Sequence, residues 1–117
     1  MNSKTDREKI RIGLAEFMGW RDIRDDFPTK GIHGWPPDKD GIDDWRPIPD
    51  PGTNLDDAMA AVEKIIKGKK QVYFRIEWGN NHWLVILTWE WGHTSKTDHK
   101  LTAAITDAAW EYVKEVK

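Results

Sequence analysis

The chain has no cysteine, only two tyrosines and three phenylalanines, and no apolar run near the length of a membrane span. The missing thiols exclude a disulfide framework, a cysteine nucleophile and a thiolate metal site, and suit a reducing compartment. A span would need roughly 20 apolar residues, and the first residues, MNSKTDREK, carry no apolar signal-peptide core. A cytoplasmic protein with no membrane partner is therefore expected. Charge of one sign is missing too: 18 Lys and Arg against 20 Asp and Glu leave a net charge of −2, without the basic footprint of a duplex nucleic-acid binder. What is present in excess is tryptophan, eight in 117 residues. A core of this size has little need of so many indoles, so some are expected to face a ligand or a partner.

Periodicity divides the chain. Ile10, Leu14, Phe17 and Met18 form one helical stripe over Arg7 to Met18, with Thr5 and Glu8 spaced as a capping box and Gly19 as the stop. A long Trp/Pro/Asp-rich connection follows, at about 20–52, carrying Trp35 and Trp45 with Trp20 at its start. Thr53 or Asn54 then caps a second helix, with Asp56 and Asp57 in its first turn and Leu55, Ala58, Met59, Val62, Ile65 and Ile66 on its stripe. In QVYFRIEW the period changes to two, and Val72, Phe74, Ile76 and Trp78 define one buried strand face. Gly79, Asn80 and Asn81 make a turn into HWLVILTWEW, both of whose faces are largely apolar, as in a central strand covered on both sides. A short third strand is expected near Asp98 to Lys100. A last helix, capped by Thr102, carries Ile105, Ala109, Tyr112, Val113 and Val116 on one stripe, with Trp110 off it. The expectation is one α+β domain over residues 1–117 in the order α-loop-α-β-β-(β)-α, its small antiparallel sheet of two to three strands covered by three helices as an α/β/α sandwich.

The run Phe17-Met18-Gly19-Trp20, the loop with Trp45 and several prolines, the segment Thr53 to Lys64 and the closing Ala104-Ile105-Thr106-Asp107-Ala108-Ala109 resemble the phage ABA sandwich domain family. The resemblance implies a phage or prophage origin, action in the host cytoplasm and α/β/α layering. It implies no settled activity and no catalytic residues. Two features depart from the family pattern, the enlarged GIHGWPPDKDGIDD loop and the Trp-rich hairpin.

Several constellations suggest chemistry. Asp38, Asp40, Gly41, Asp43 and Asp44 approach a calcium loop, but Pro36 and Pro47 occupy the first-ligand and bidentate-acid positions, so a solvated acidic turn is the better reading. His82, His93 and His99 with Glu90 have no zinc-site spacing. Glu77 and Glu90 could pair for hydrolysis, yet no Gly-rich phosphate loop or Ser-His-Asp spacing accompanies them. The run RDIRDD reads as a solvated face. No metal and no cofactor is expected.

The aromatic and cationic set remains: Trp20, Lys30, His33, Trp35, Trp45 and Arg46 around the long loop, with Tyr73 and Arg75. Indoles stack on nucleobases, while Arg and Lys hold phosphate. The bland alternative is that Trp78, Trp83, Trp89 and Trp91 fill the core and that Trp35 and Trp45 pin the loop. Three functions follow. The first is a non-catalytic, oligomeric binding protein that sequesters a small nucleotide-like ligand, such as a host immune signalling nucleotide. The second is an inhibitor or adaptor that binds a host protein through Trp35, Trp45, Trp91 and Trp110. The third is a small hydrolase.

Overall fold

The stripe of Ile10, Leu14 and Phe17 folds as α1 (Asp6–Phe17), in a computed structural model that describes residues 6–25, 31–37, 46–68 and 71–116. The expected Thr5 cap lies outside the described residues. The end of α1 is a Schellman motif: the Trp20 amide donates to Ala15 O and the Gly19 amide to Glu16 O, each at 3.0 Å. Gly19 has φ +99°, and a Cβ there would lie 2.8 Å from Pro37 Cβ, so glycine is required twice over.

The chain divides into two compact units, Met1–Pro49 and Asp50–Lys117. The first corrects the expectation of a long loop at about 20–52 between the first two helices. After α1 come β1 (Arg21–Asp25), β2 (Ile32–Trp35) and β3 (Arg46–Pro47), an antiparallel sheet in the order β1-β2-β3. Leu14 is fully buried, and Ala15, Ile32 and Ile48 form a small core against which Ile12, Trp20 and Ile23 pack. The Arg11 guanidinium fastens the exit of β3 to this unit, donating from Nε to Pro49 O at 2.8 Å and from Nη2 to Ile48 O at 2.7 Å. Such charge-assisted bonds hold a segment too short to be stable as a strand alone.

In the second unit the cap of α2 (Leu55–Gly68) is Asn54, whose Oδ1 accepts the Asp57 amide at 3.1 Å, while Asp57 Oδ2 accepts the Asp50 amide at 2.8 Å. The buried stripe of α2 is narrower than the sequence suggests. Ala58, Ala61, Val62 and Ile65 are buried, whereas Leu55 and Ile66 are exposed. β4 (Tyr73–Gly79), β5 (His82–Trp89) and β6 (Gly92–Asp98) form a second antiparallel sheet in the order β4-β5-β6. The polar segment expected to hold a short strand near Asp98 is thus a seven-residue edge strand, where side chains need no burial. α3 (Leu101–Val116) lies against β5 and β6 and packs on α2. It contacts two layers, so its buried surface is wide: Ala103, Ala104, Ile105, Ala108, Ala109, Tyr112 and Val113. Thr102 falls inside its first turn instead of capping it, and its hydroxyl donates to Gly52 O at 2.8 Å.

Among the described residues the order is therefore α-β-β-β-α-β-β-β-α, with three helices and two small three-stranded sheets in place of one. β5 is central as expected, but its faces differ. Val85, Leu87 and Trp89 are buried, with Trp89 edge-on to Tyr112 at 5.1 Å between ring centroids, whereas Leu84, Ile86 and Thr88 are half-buried. Of the strand tryptophans expected in the core, only Trp89 is buried; Trp83 is half-buried against Trp78, and Trp78 and Trp91 are 57% and 84% exposed.

Glu111 ties α3 to the sheet, accepting from Lys114 at 2.6 Å and lying 3.5 Å from Lys96 on β6. The Lys114 hydrogen bond, aided by the charges of Lys96 and Lys114, holds its carboxyl below the ordinary value of 4.5 although burial opposes this. A depressed pKa means that the folded state favours the carboxylate. The stabilisation is present above 4.5 and lost as the pH falls through the folded value. Glu111→Gln is expected to cost no more than about 1 kcal/mol at pH 7, since the group is partly solvated. In urea titrations the gap to wild type should narrow below pH 4.5.

Candidate functional site

The cationic and aromatic residues of the first unit converge through a fault in its sheet. In the β1–β2 register Arg21 faces Trp35 and Arg24 faces His33, so Asp22 and Ile23 together oppose Gly34 alone. This is a β-bulge, and Asp22 takes the left-handed backbone (φ +52°) that Asp tolerates better than most residues. Without the bulge, residues three apart on a strand would point to opposite faces. With it, Ile23 joins the core around Ile32 and Ile48, while Arg21 and Arg24 share the opposite face with His33 and Trp35.

That face carries two exposed guanidinium groups beside two half-buried aromatic rings. His33 Nδ1 lies 3.2 Å from Gly31 O, an acceptor to which a protonated Nδ1 donates and which fixes the orientation of the ring. Planar rings next to guanidinium forks can stack on a flat ligand and hold its phosphate oxygens in two-point bonds.

The eight residues expected in the site fare differently. His33 and Trp35 lie together on this face. Trp20 packs on the core as the residue that closes the α1 cap. Arg46 is exposed and opposite Gly34, on the other side of the sheet from His33 and Trp35. Lys30 and Trp45 lie outside the described residues. Tyr73 and Arg75 are exposed on β4 in the second unit, one side of which also carries Glu77, the ion-pair partner of Arg75. Sequence reasoning missed Arg21 and Arg24. Their spacing of three conceals a shared face, and only the bulge at Asp22 reveals it.

The other constellations yield less. The acidic run from Asp38 to Asp44 lies outside the described residues, and among the described residues no three His, Asp or Glu side chains are grouped to hold a metal ion. Glu77 pairs with Leu84, whereas Glu90 lies in the turn after β5. At about 3.3 Å per strand residue they stand roughly 20 Å apart, well beyond the roughly 5–9.5 Å of a working carboxylate pair. Clefts of about 390 Å³, lined by Trp89, His93, Thr94 and the Glu111–Glu115 end of α3, and about 200 Å³, at the β4–β5 turn, include none of the eight.

No protein-family model, curated protein or solved structure matches the chain.

Proposed function

We propose that the protein is a non-catalytic binding protein that captures a planar, anionic, nucleotide-like ligand on the Arg21–Arg24–His33–Trp35 face. The observation that carries this reading is the β1–β2 register, which sets a cation opposite each ring. A base or similar flat group stacks on Trp35, phosphate oxygens are held by the two guanidinium groups, and the ligand is withdrawn by mass action without turnover. A phage origin and action in the host cytoplasm belong to the same proposal, as does the family's α/β/α layering. They rest on the cap and core residues at Phe17–Trp20 and Thr53–Lys64. A host signalling nucleotide is a ligand of this class.

The test is a thermal-shift screen against cyclic di- and trinucleotides and ADP-ribose derivatives, with mass spectrometry of the ligand released on denaturation. A shift with the ligand recovered intact is expected. Arg21→Ala with Arg24→Ala should weaken binding by roughly 100-fold or more, since hydrogen bonds to charged groups contribute about 1.5–3 kcal/mol each. Trp35→Ala should weaken it by about tenfold. Lys64→Ala, on the exposed side of α2, should change nothing. Unchanged affinity in the double arginine variant would end the proposal, and altered ligand would indicate an enzyme.

The second reading, capture of a host protein, is favoured by one observation, the 84% exposure of Trp91 at the β5–β6 turn. An indole so placed buries little of its surface in the fold and suits an interface anchor. A silent nucleotide panel with a host protein retained by wild type but not by Trp91→Ala would establish it.

A further inference from the structure

We infer that β4 is a self-complementary docking edge, through which two copies of the chain join their sheets antiparallel about a two-fold axis at Ile76. This goes beyond the ligand site and is independent of it.

β4 ends the order β4-β5-β6, and among the described residues its strand partner is β5 alone. Edge strands are ordinarily blunted by charged side chains, proline or a bulge. β4, YFRIEWG, has no proline and no bulge, its register with β5 running unbroken from Tyr73↔Thr88 to Gly79↔His82, and its two charges, Arg75 and Glu77, are of opposite sign, so a second copy can neutralise them. Its Tyr73 and Trp78 side chains are 73% and 57% exposed.

The turn determines which backbone groups face outward. Asn80 and Asn81 both have positive φ (52° and 63°), the geometry of a two-residue type I′ hairpin. In such a hairpin the closing pair, Gly79↔His82, exchanges hydrogen bonds, and bonded and non-bonded pairs alternate from there. Tyr73, Arg75, Glu77 and Gly79 therefore turn their amides and carbonyls toward β5. Phe74, Ile76 and Trp78 turn theirs to the edge.

An antiparallel second copy centred on Ile76 brings those outward groups together. Ile76 meets Ile76 of the second copy, and Phe74 meets its Trp78, each pair able to exchange both N–H···O bonds. Between them Arg75 stands opposite Glu77 of the second copy and Glu77 opposite its Arg75, while the aromatics pair as Phe74 with Trp78. Cross-strand pairs of these types are favourable. The neighbouring registers with the same backbone parity are centred on Arg75 or on Glu77, and each sets like charges directly opposite one another. Charge thus selects the Ile76 register, and the two-fold symmetry makes every contact occur twice.

The experiment is sedimentation of the full chain over a concentration series, with circular dichroism to confirm folding. Wild type is expected to shift from monomer to dimer as its concentration rises. Arg75→Glu and Glu77→Arg should each weaken the dimer by roughly tenfold or more, because two attractive pairs become repulsive. An equimolar mixture of the two variants should form a heterodimer, and the double charge swap should restore self-association. Ile76→Pro, which removes an outward amide and spares the bonds to β5, should be monomeric. A wild-type chain that stays monomeric to about 1 mM, variants that dimerise like wild type, or a mixture no tighter than its components would each overturn the inference.

Discussion

Leu87→Ala is expected to lower the unfolding free energy by about 3–5 kcal/mol, whereas Ile86→Thr, one residue away on the same strand, should cost about 1 kcal/mol or less. Leu87 is fully buried beneath α3 and stands between Phe74 and Thr94 in the sheet. Truncation there removes apolar area and leaves a cavity that close-packed neighbours cannot fill. Ile86 belongs to the other face, half-buried between Arg75 and Ser95, and threonine keeps its β-branched shape. Urea unfolding followed by tryptophan fluorescence measures both, because Trp83 and Trp89 report from the same strand. Equal losses would mean that both faces of β5 are tightly covered, which is what its nearly continuous apolar sequence suggests on its own. The asymmetry is invisible in that sequence because it arises in the neighbours: polar Ser95 and Thr97 and charged Arg75 and Glu77 line one face.

The same division between local and tertiary causes explains what else was legible. α2 follows from its period, its Asn54 cap and its acidic first turn, and α3 from its period, all of which are local. The β4–β5 hairpin follows from alternation and the Asn80-Asn81 turn. The strands of the first unit do not, because RDIRD, IHGW and RP are short and rich in residues of low strand propensity. Tertiary docking makes them strands, through Ile32 and Ile48 on Ala15 and through Arg11 at the exit of β3. Trp20 shows the converse error. Its place beside a Trp-rich loop suggested a ligand, yet Gly19-Trp20 also spells a Schellman ending, whose residue after the glycine packs back on the helix.

Gly34→Val should destabilise the first unit by about 3 kcal/mol and Gly34→Ala by about 1–2 kcal/mol, and both should impair ligand capture at a distance from any ligand contact. Gly34 sits at the centre of β2, opposite the bulge. A Cβ there would lie 3.0 Å from Ile23 Cγ1, 3.1 Å from Arg21 O and 3.4 Å from Ile48 Cγ2. The two isoleucine side chains can yield by a few tenths of an ångström. The Arg21 carbonyl cannot, because it belongs to the backbone that enters the bulge and moves only with β1. Relief therefore shifts the turn that brings Arg21 and Arg24 to one face, and affinity falls with the register. Gly68→Ala at the end of α2, where a Cβ meets nothing within 4 Å, supplies the contrast. Removal of a helical glycine there should leave stability unchanged or raise it by up to about 1 kcal/mol, with ligand affinity intact. Denaturation and titration of the same samples separate two outcomes. If Gly34→Ala loses stability while keeping full affinity, the bulge does not govern the site; if affinity and stability fall together while Gly68→Ala keeps both, the close approach at Gly34 is what aligns the arginines.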